Sequence, residues 1–338
     1  MIRILILFQF LIAKLDSFIF MGLEDINAFY YAKNFGRNAL PKSYFRMYFK
    51  KLMEYKKTVD PDLLQKRVDY YLKGNKNFQI PEAAVAVKDF KKTKGTGYYL
   101  DLKEFLHYFN PQVKFAYHFG DELHINPYPT LFKARMLEVD NANSVLFKLN
   151  KRRHFKWVED ATPFGKKNKK VVWRGRAHQK QRRDFVEKFW EHPLFDVGLI
   201  TPKQNDLPLH KGFMDIPSQL GHQFIACIEG FDVATNLKWA MSSNSLCIMP
   251  KPTCETWFME GTLKAGIHYV EVKDDFSDME EKVTYFSEHA EDSKEIIKNA
   301  HQHVAQFKNK KLEDLLCFLV LEKYAQLSGQ EDYLRFKS

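Results

Sequence analysis

Three stretches of the chain carry residue types that could do chemistry. Trp173-Arg174-Gly175-Arg176 follows an apolar run and leads into a helical pattern that holds Arg182 and Arg183. A glycine turn at a helix start presents free backbone N–H groups and a favourable dipole to a phosphate. Arginine adds a permanently charged, two-pronged partner for the same group. The stretch Ile228-Glu229-Gly230-Phe231-Asp232-Val233-Ala234-Thr235-Asn236 repeats the pattern: apolar run, glycine, then polar residues opening a helix. Asp232 equally suits a helix N-cap, and Thr235 and Asn236 an ordinary first turn. Two such turns in one parallel sheet converge on the same edge, which favours a nucleotide cleft there. The third stretch is Gly120-Asp121, which closes the aromatic-rich run Val113 to Phe119 and precedes Pro127-Tyr128-Pro129. A carboxylate at a strand end beside a cleft can take a proton from a hydroxyl; a Gly-Asp pair is also what a plain turn uses. A metal ion bound beside a phosphate would call for a pair of carboxylates, such as Asp-x-Asp after a strand. Asp60-Pro61-Asp62 has that spacing, but its proline and the leucines after it predict a helix start, so no metal site is expected.

The elements that must position these residues follow from the apolar pattern. Residues 25–75 read as helical, with Tyr44, Met47, Leu52 and Tyr55 as an apolar stripe and Pro61 able to open a further helix. Leu100 to Phe109 reads as helix ended by Pro111, Val113 to Phe119 as strand, and Ser144 to Leu149 as another short strand. The basic stretch with Gly165 and Lys166 to Lys170 reads as a linker, with a domain boundary near Gly165. Beyond it, strands are expected at Lys170 to Trp173, Phe195 to Ile200, Phe224 to Glu229, Leu246 to Met249 and Tyr269 to Val272. Helices are expected at Gln179 to Trp190, Ala234 to Ser243 and Ser293 to Leu327. This alternation of strand, glycine turn and helix predicts an α/β fold whose parallel sheet is covered by helices, with ligands at the strand C-termini. The apolar stretch Ile2 to Ala13 is interrupted by Lys14 and Asp16 and is too short to span a bilayer. It suits a buried first strand, or else translation begins at Met21 and residues 1–20 are no part of the protein.

Bulk properties bound the function class. Hydrophobic residues make up 45% and charged residues 28% of 338 residues, a globular composition. The net charge is +10, and the segment Lys151 to Asp184 alone has thirteen Lys/Arg against three acids, Glu159, Asp160 and Asp184. The rest of the chain is near neutral. A single basic segment is the footprint of an anionic partner: nucleotide phosphates, anionic lipid or nucleic acid. Cys227, Cys247, Cys254 and Cys317 form no paired motif and no zinc pattern with nearby histidines, as expected of reduced cytosolic thiols.

In order along the chain come Trp173-Arg174-Gly175 with Arg182, Glu229-Gly230 to Lys238, Asn244-Ser245-Leu246, Glu255-Thr256-Trp257-Phe258, His268-Tyr269-Val270 and Asp275-Phe276-Ser277-Asp278. This string resembles glycosyltransferase family 90, which groups bacterial lipopolysaccharide-modifying transferases with fungal capsule enzymes and animal protein O-glucosyltransferases. The resemblance covers roughly residues 110–305. Phe119-Gly120-Asp121, Lys133-Ala134-Arg135 and Lys151-Arg152-Arg153-His154-Phe155 are similar to the bacterial members. The resemblance implies a GT-B fold, two Rossmann-like domains facing across a cleft: residues 1–164 for acceptor and base, 165–310 for the nucleotide sugar, and 311–338 a helix packing back on the body. It also implies a UDP-sugar donor, inversion at the anomeric carbon, and no metal or other cofactor. The family's base is an aspartate in an Arg-Asp-Tyr-Pro-like context. Asp121 matches it, with Gly120 in front and prolines only at 127 and 129. The phosphate segment matches Arg174, Gly175, Arg176 and Arg182, Arg176 standing where animal members have serine. The donor-binding helix start matches Gly230, Phe231, Asp232, Val233, Ala234 and Thr235, with Asn236 in place of an arginine.

The resulting expectation is a cytoplasmic UDP-sugar transferase acting on a lipid-linked or surface-glycan acceptor, held at the inner face of the membrane through Lys166, Lys167, Lys169 and Lys170. The pI of about 9.1 motivates two non-catalytic rivals, a nucleic-acid binder and a membrane-surface scaffold. The first lacks any RNA-binding or helix-turn-helix signature, so no nucleic-acid partner is expected. Turnover of a UDP-sugar separates the enzyme from both.

Overall fold

The computed structural model describes residues 27–37, 39–200 and 208–336. Both readings of the N-terminal apolar stretch lie outside them. The helical region splits into three: α1 (Asn27–Arg37), α2 (Lys42–Lys56) and α3 (Pro61–Tyr71). Asp60 caps α3 by accepting from the N–H of Asp62 at 3.0 Å, and Pro61 takes the first helical position. The Asp-x-Asp spacing is therefore a helix start. Next come β1 (Val85–Ala86), α4 (Thr96–Leu106), β2 (Lys114–Phe115), β3 (Thr130–Phe132), β4 (Ala134–Met136), β5 (Ser144–Leu146) and the single turn α5 (Lys151–His154).

These N-terminal strands are two or three residues long. β1 pairs antiparallel with β2, β3 pairs parallel with β5, and a parallel bridge from Tyr117 to Leu131 joins the two pairs. The described residues thus form an interrupted set here, and the second Rossmann-like sheet implied by the GT-B resemblance is not matched by a continuous one. Pro111, Pro127 and Pro129 lack the N–H that a longer ladder needs.

The C-terminal half alternates as its apolar runs require: β6 (Asn168–Gly175), α6 (Lys180–Phe189), β7 (Phe195–Leu199), α7 (Ile216–Gln219), β8 (His222–Ala226), α8 (Leu237–Met241), β9 (Leu246–Pro250), β10 (Cys254–Thr256), β11 (Val270–Val272), α9 (Met279–Glu288), α10 (Ala290–Ala305) and α11 (Lys310–Leu327). The expected linker at Lys166 to Lys170 is in large part strand, because Val171, Val172 and Trp173 bury the sheet's centre and the ladder continues back to Asn168. The one long C-terminal helix breaks before Asn309, whose side chain caps α11 through the N–H of Leu312 at 3.1 Å.

Five strands form one parallel sheet in the order β11-β9-β8-β6-β7. In chain order that is 2-1-3-4-5, a doubly wound topology whose direction reverses between β6 and β8. Alternate residues serve opposite faces. Val171, Trp173, Phe224, Ala226 and Ile248 pack with Phe185 and Phe189 of α6 and Val283 of α9. Val172, Ile225, Cys247 and Met249 join a larger core with Trp239 and Met241 of α8.

That larger core runs on into the N-terminal half without a break. α11 is its axis: Leu315, Leu316, Phe318, Leu321 and Tyr324 are buried against α2 and α3, and the Phe318 ring meets Phe49 and Phe109 at 5.4 and 5.6 Å. Around α11 lies a buried polar set. Glu313 receives Arg67 at 3.0 Å, Lys148 at 2.7 Å and the Trp257 indole N–H at 2.7 Å. A second tie is the antiparallel pairing of β4 with β10, where Arg135 faces Glu255. Both side chains are fully buried and meet at 2.7 Å.

Candidate active site

The carboxyl ends of β6 and β8 lie at the reversal point of the sheet, where doubly wound folds bind ligands. Gly175 ends β6, and a Cβ there would stand 2.5 Å from the Trp173 ring, so the turn admits no side chain. Arg174 points to the neighbouring strand: its guanidinium binds the Asp196 carboxylate at 2.7 Å and the Asp196 carbonyl at 2.6 Å. It is thereby tied to β7. Arg176 is exposed, and its guanidinium has no partner among the described residues.

Arg182, on the first turn of α6, reaches across to the end of β8. It donates to the carbonyls of Glu229 at 2.9 Å and Ile228 at 2.9 Å, and to that of Arg176 at 3.4 Å. Burial, with the nearby charge of Arg153, pulls its pKa below the ordinary arginine range. Gly230 is what lets it approach, since a Cβ there would lie 2.9 Å from the Arg182 Nη2. Arg182 is thus the staple between the two turns.

Residues 230–236 form a loop and not the helix start expected at Ala234. α8 begins only at Leu237, because the Asn236 side chain turns back to the Ala226 carbonyl at 2.8 Å. The Gly230 N–H is taken by the Asp232 carbonyl at 2.7 Å. The N–H groups of residues 231–236 donate to no acceptor among the described residues. Such a run of free donors is the equipment of an anion-binding loop. Val233 and Ala234 are buried beneath it, while Phe231 is 64% exposed and faces the His178 ring.

Asp121 meets this loop through cations. The buried Lys133 ammonium bridges the carboxylates of Asp121 and Asp232. Asp121 also accepts from the Tyr98 hydroxyl at 2.5 Å and from Arg153 at 2.9 Å. The other end of the Arg153 fork reaches the Thr235 hydroxyl at 3.2 Å. Burial alone would raise the Asp121 pKa, but the charge and hydrogen bond of Lys133, the Tyr98 hydroxyl and the charge of Arg153 outweigh it and hold the group at about 2. Asp232 goes the other way: burial raises it, and the like charge of Asp121 adds to the rise against the pull of Lys133. His154, buried beside Lys133 at 3.5 Å, is kept neutral by burial and by that same charge.

Asp121 from one stretch and Asp232 and Thr235 from another therefore share one cluster, with Arg182 of the remaining stretch and Gly230 beside it. Tyr98, Lys133 and Arg153 were given no role from sequence. The signals for Arg153 were the charge density of Lys151 to Arg153 and the family-like segment it sits in; Lys133 had only its family-like segment, since nothing local announces that a lysine will be buried between distant acids. Of the four surface lysines, Lys167 is buried on Asp160 at 2.6 Å and on the Leu220 carbonyl, leaving Lys166, Lys169 and Lys170 exposed.

A low-pKa carboxylate, the Arg182 staple and a run of N–H donors thus lie together at the sheet's reversal point. The chain belongs to glycosyl transferase family 90, whose model matches residues 145–333. It is 45% identical to the O-glucosyltransferase LpsA of Dichelobacter nodosus over 264 residues, which cover 78% of this chain and 83% of that one. It is 26% identical to protein O-glucosyltransferase 3 of Homo sapiens over 178 residues, half of this chain and 34% of the human protein.

Proposed function

We propose that this glycosyltransferase moves a hexose or pentose from a UDP-sugar to a hydroxyl of a bacterial surface glycan, with inversion and without a metal ion. The observation that carries the reading is the cluster in which Asp121 from the N-terminal half and Thr235 from the donor loop are joined by one guanidinium, that of Arg153. The name of the Dichelobacter relative makes glucose the first donor to test. The family's lipopolysaccharide-modifying members supply the acceptor class. A site at the cytoplasmic membrane face would need only surface contact, and among the described residues no helix is long and apolar enough to cross a membrane.

In this mechanism the diphosphate lies on the N–H groups of 231–236, with Arg176 beside it. Arg153, half exposed, swings from Asp121 to the diphosphate and frees the Asp121 Oδ2 lone pairs for the acceptor hydroxyl. The acceptor oxygen forms its bond to the anomeric carbon as the bond to the β-phosphate oxygen breaks. The hydroxyl proton passes to Asp121, and UDP leaves with the electron pair. Fixed positive groups meet the charge as it grows on the leaving phosphate, the role a metal ion fills elsewhere. Arg174 has no part, being held by Asp196. Arg182 acts by shaping the loop.

The experiment is product formation from a panel of UDP-sugars with surface glycan as acceptor, using the full chain. Asp121→Asn should lower turnover by about a hundredfold or more while UDP affinity holds. After exhaustive EDTA, turnover should not depend on added Mn²⁺ or Mg²⁺. Near-normal turnover in the variant would sink the base assignment, and abolition by EDTA with rescue by Mn²⁺ or Mg²⁺ would sink the metal-free mechanism.

A further inference from the structure

Seven residues around Asp121, His118-Phe119-Gly120-Asp121-Glu122-Leu123-His124, hold a second set of chemistry-bearing side chains that the transfer reading leaves unused. His118 Nε2 lies 2.8 Å from Glu122 Oε2, and His124 Nδ1 lies 3.5 Å from the same oxygen. One ligand atom from each of the three residues falls within 4.8 Å of the others. The two imidazoles meet edge to face with centroids 4.4 Å apart.

Their placement has a structural cause. The ring of Phe132, buried on β3, packs against both imidazoles, at 5.7 Å from His118 and 5.1 Å from His124. The same buried ring therefore sets the pitch of both. Gly120 clears space for the third ligand, since a Cβ there would lie 3.0 Å from Glu122 Oε1. All three side chains are partly open to solvent, which leaves an entry path and room for water as a further ligand.

Two imidazoles and one carboxylate are a borderline-soft donor set. Zinc and its neighbours take such a set with an open fourth position, whereas Mg²⁺ and Ca²⁺ call for oxygen ligands throughout. We propose that His118, Glu122 and His124 form a binding site for a divalent transition-metal ion of the zinc class. The ion would fasten residue 118 to residue 124 and so fix the loop on which Asp121 sits. The site is separate from the donor loop, and its existence does not depend on the transferase reading.

The test is titration of the metal-free full chain with Zn²⁺ against a chromophoric chelator, paired with hydrogen exchange of residues 118–124. One equivalent should bind, Mg²⁺ should not compete, and exchange in the loop should slow. Glu122→Gln and His124→Ala, both at half-exposed positions, should each weaken binding by about tenfold or more. Both should remove the zinc-induced slowing while keeping the wild-type circular dichroism. Absence of a stoichiometric site, or zinc binding and loop protection unchanged in both variants, would overturn the proposal.

Discussion

Arg153 offers the sharpest separation between structure and function, because the two readings of its contacts differ in size. Its fork spans Asp121 at 2.9 Å and Thr235 at 3.2 Å, yet its side chain is 51% exposed. An ion pair that open to water contributes only about 0.2–1 kcal/mol to stability. Arg153→Met keeps the stem and removes the fork, so the denaturation midpoint should move little. If the same fork meets the diphosphate charge as it develops, its loss should cost about 10²–10³ in turnover, equivalent to about 2.7–4 kcal/mol of transition-state stabilisation. Initial rates of UDP release, read beside urea unfolding of the same preparations, measure both. Arg153→Lys should fall between, since a point charge replaces a two-pronged one. Turnover within about threefold of wild type, less than 1 kcal/mol by transition-state arithmetic, would refute the role given to Arg153.

Two further outcomes concern what holds the site's frame. Glu255→Gln leaves the Arg135 guanidinium buried and uncompensated between β4 and β10, and should cost about 3–5 kcal/mol by urea unfolding; a loss below about 1 kcal/mol would mean that the pair is not what ties the halves. His303, packed on Phe258 and hydrogen-bonded to its carbonyl at 3.0 Å, has its pKa lowered to about 4 chiefly by burial. Its neutral form is the one the fold holds, so its contribution is present above about pH 6.5 and is lost as pH falls through 4, a change on the order of 3 kcal/mol. A His303→Gln variant should show a flatter acid limb in its stability profile, and an unchanged limb would count against this assignment.

Much of the C-terminal half was legible because its strands are central and parallel, so they read as uninterrupted apolar runs such as Phe224-Ile225-Ala226. Asp60-Pro61-Asp62 was legible because capping chemistry is local. What escaped depends on partners far along the chain. The aim of Arg174 is fixed by Asp196 on the adjacent strand, a register no local pattern encodes. The late start of α8 depends on the Asn236 side chain finding the end of β8. Lys133 becomes a site residue only when Asp121 and Asp232 close on it from opposite halves. The N-terminal strands were hardest, since two or three residues carry too little alternation to announce a pairing. Family motifs carried information of a different kind: Glu255 and Trp257 turn out to join the halves, Glu255 through Arg135 and Trp257 through Glu313 and the stacked ring of Tyr71 at 3.6 Å.

The position of α11 has a consequence for how the molecule is made. Residues 310–327 supply the middle of the core around α2 and α3, and Asp314, Glu313 and Tyr324 close hydrogen bonds with Tyr48, Arg67 and the Pro129 carbonyl. A ribosome delivers those partners in the opposite order. While the nascent chain lengthens, β6 to β11 can assemble with their own helices, but the earlier helices wait with their apolar faces uncovered until the tunnel releases α11. The helices made earlier therefore complete their packing after the sheet made later, and the interval between is when the apolar faces of Phe45, Phe49 and Leu52 are open to chaperones or to other nascent copies.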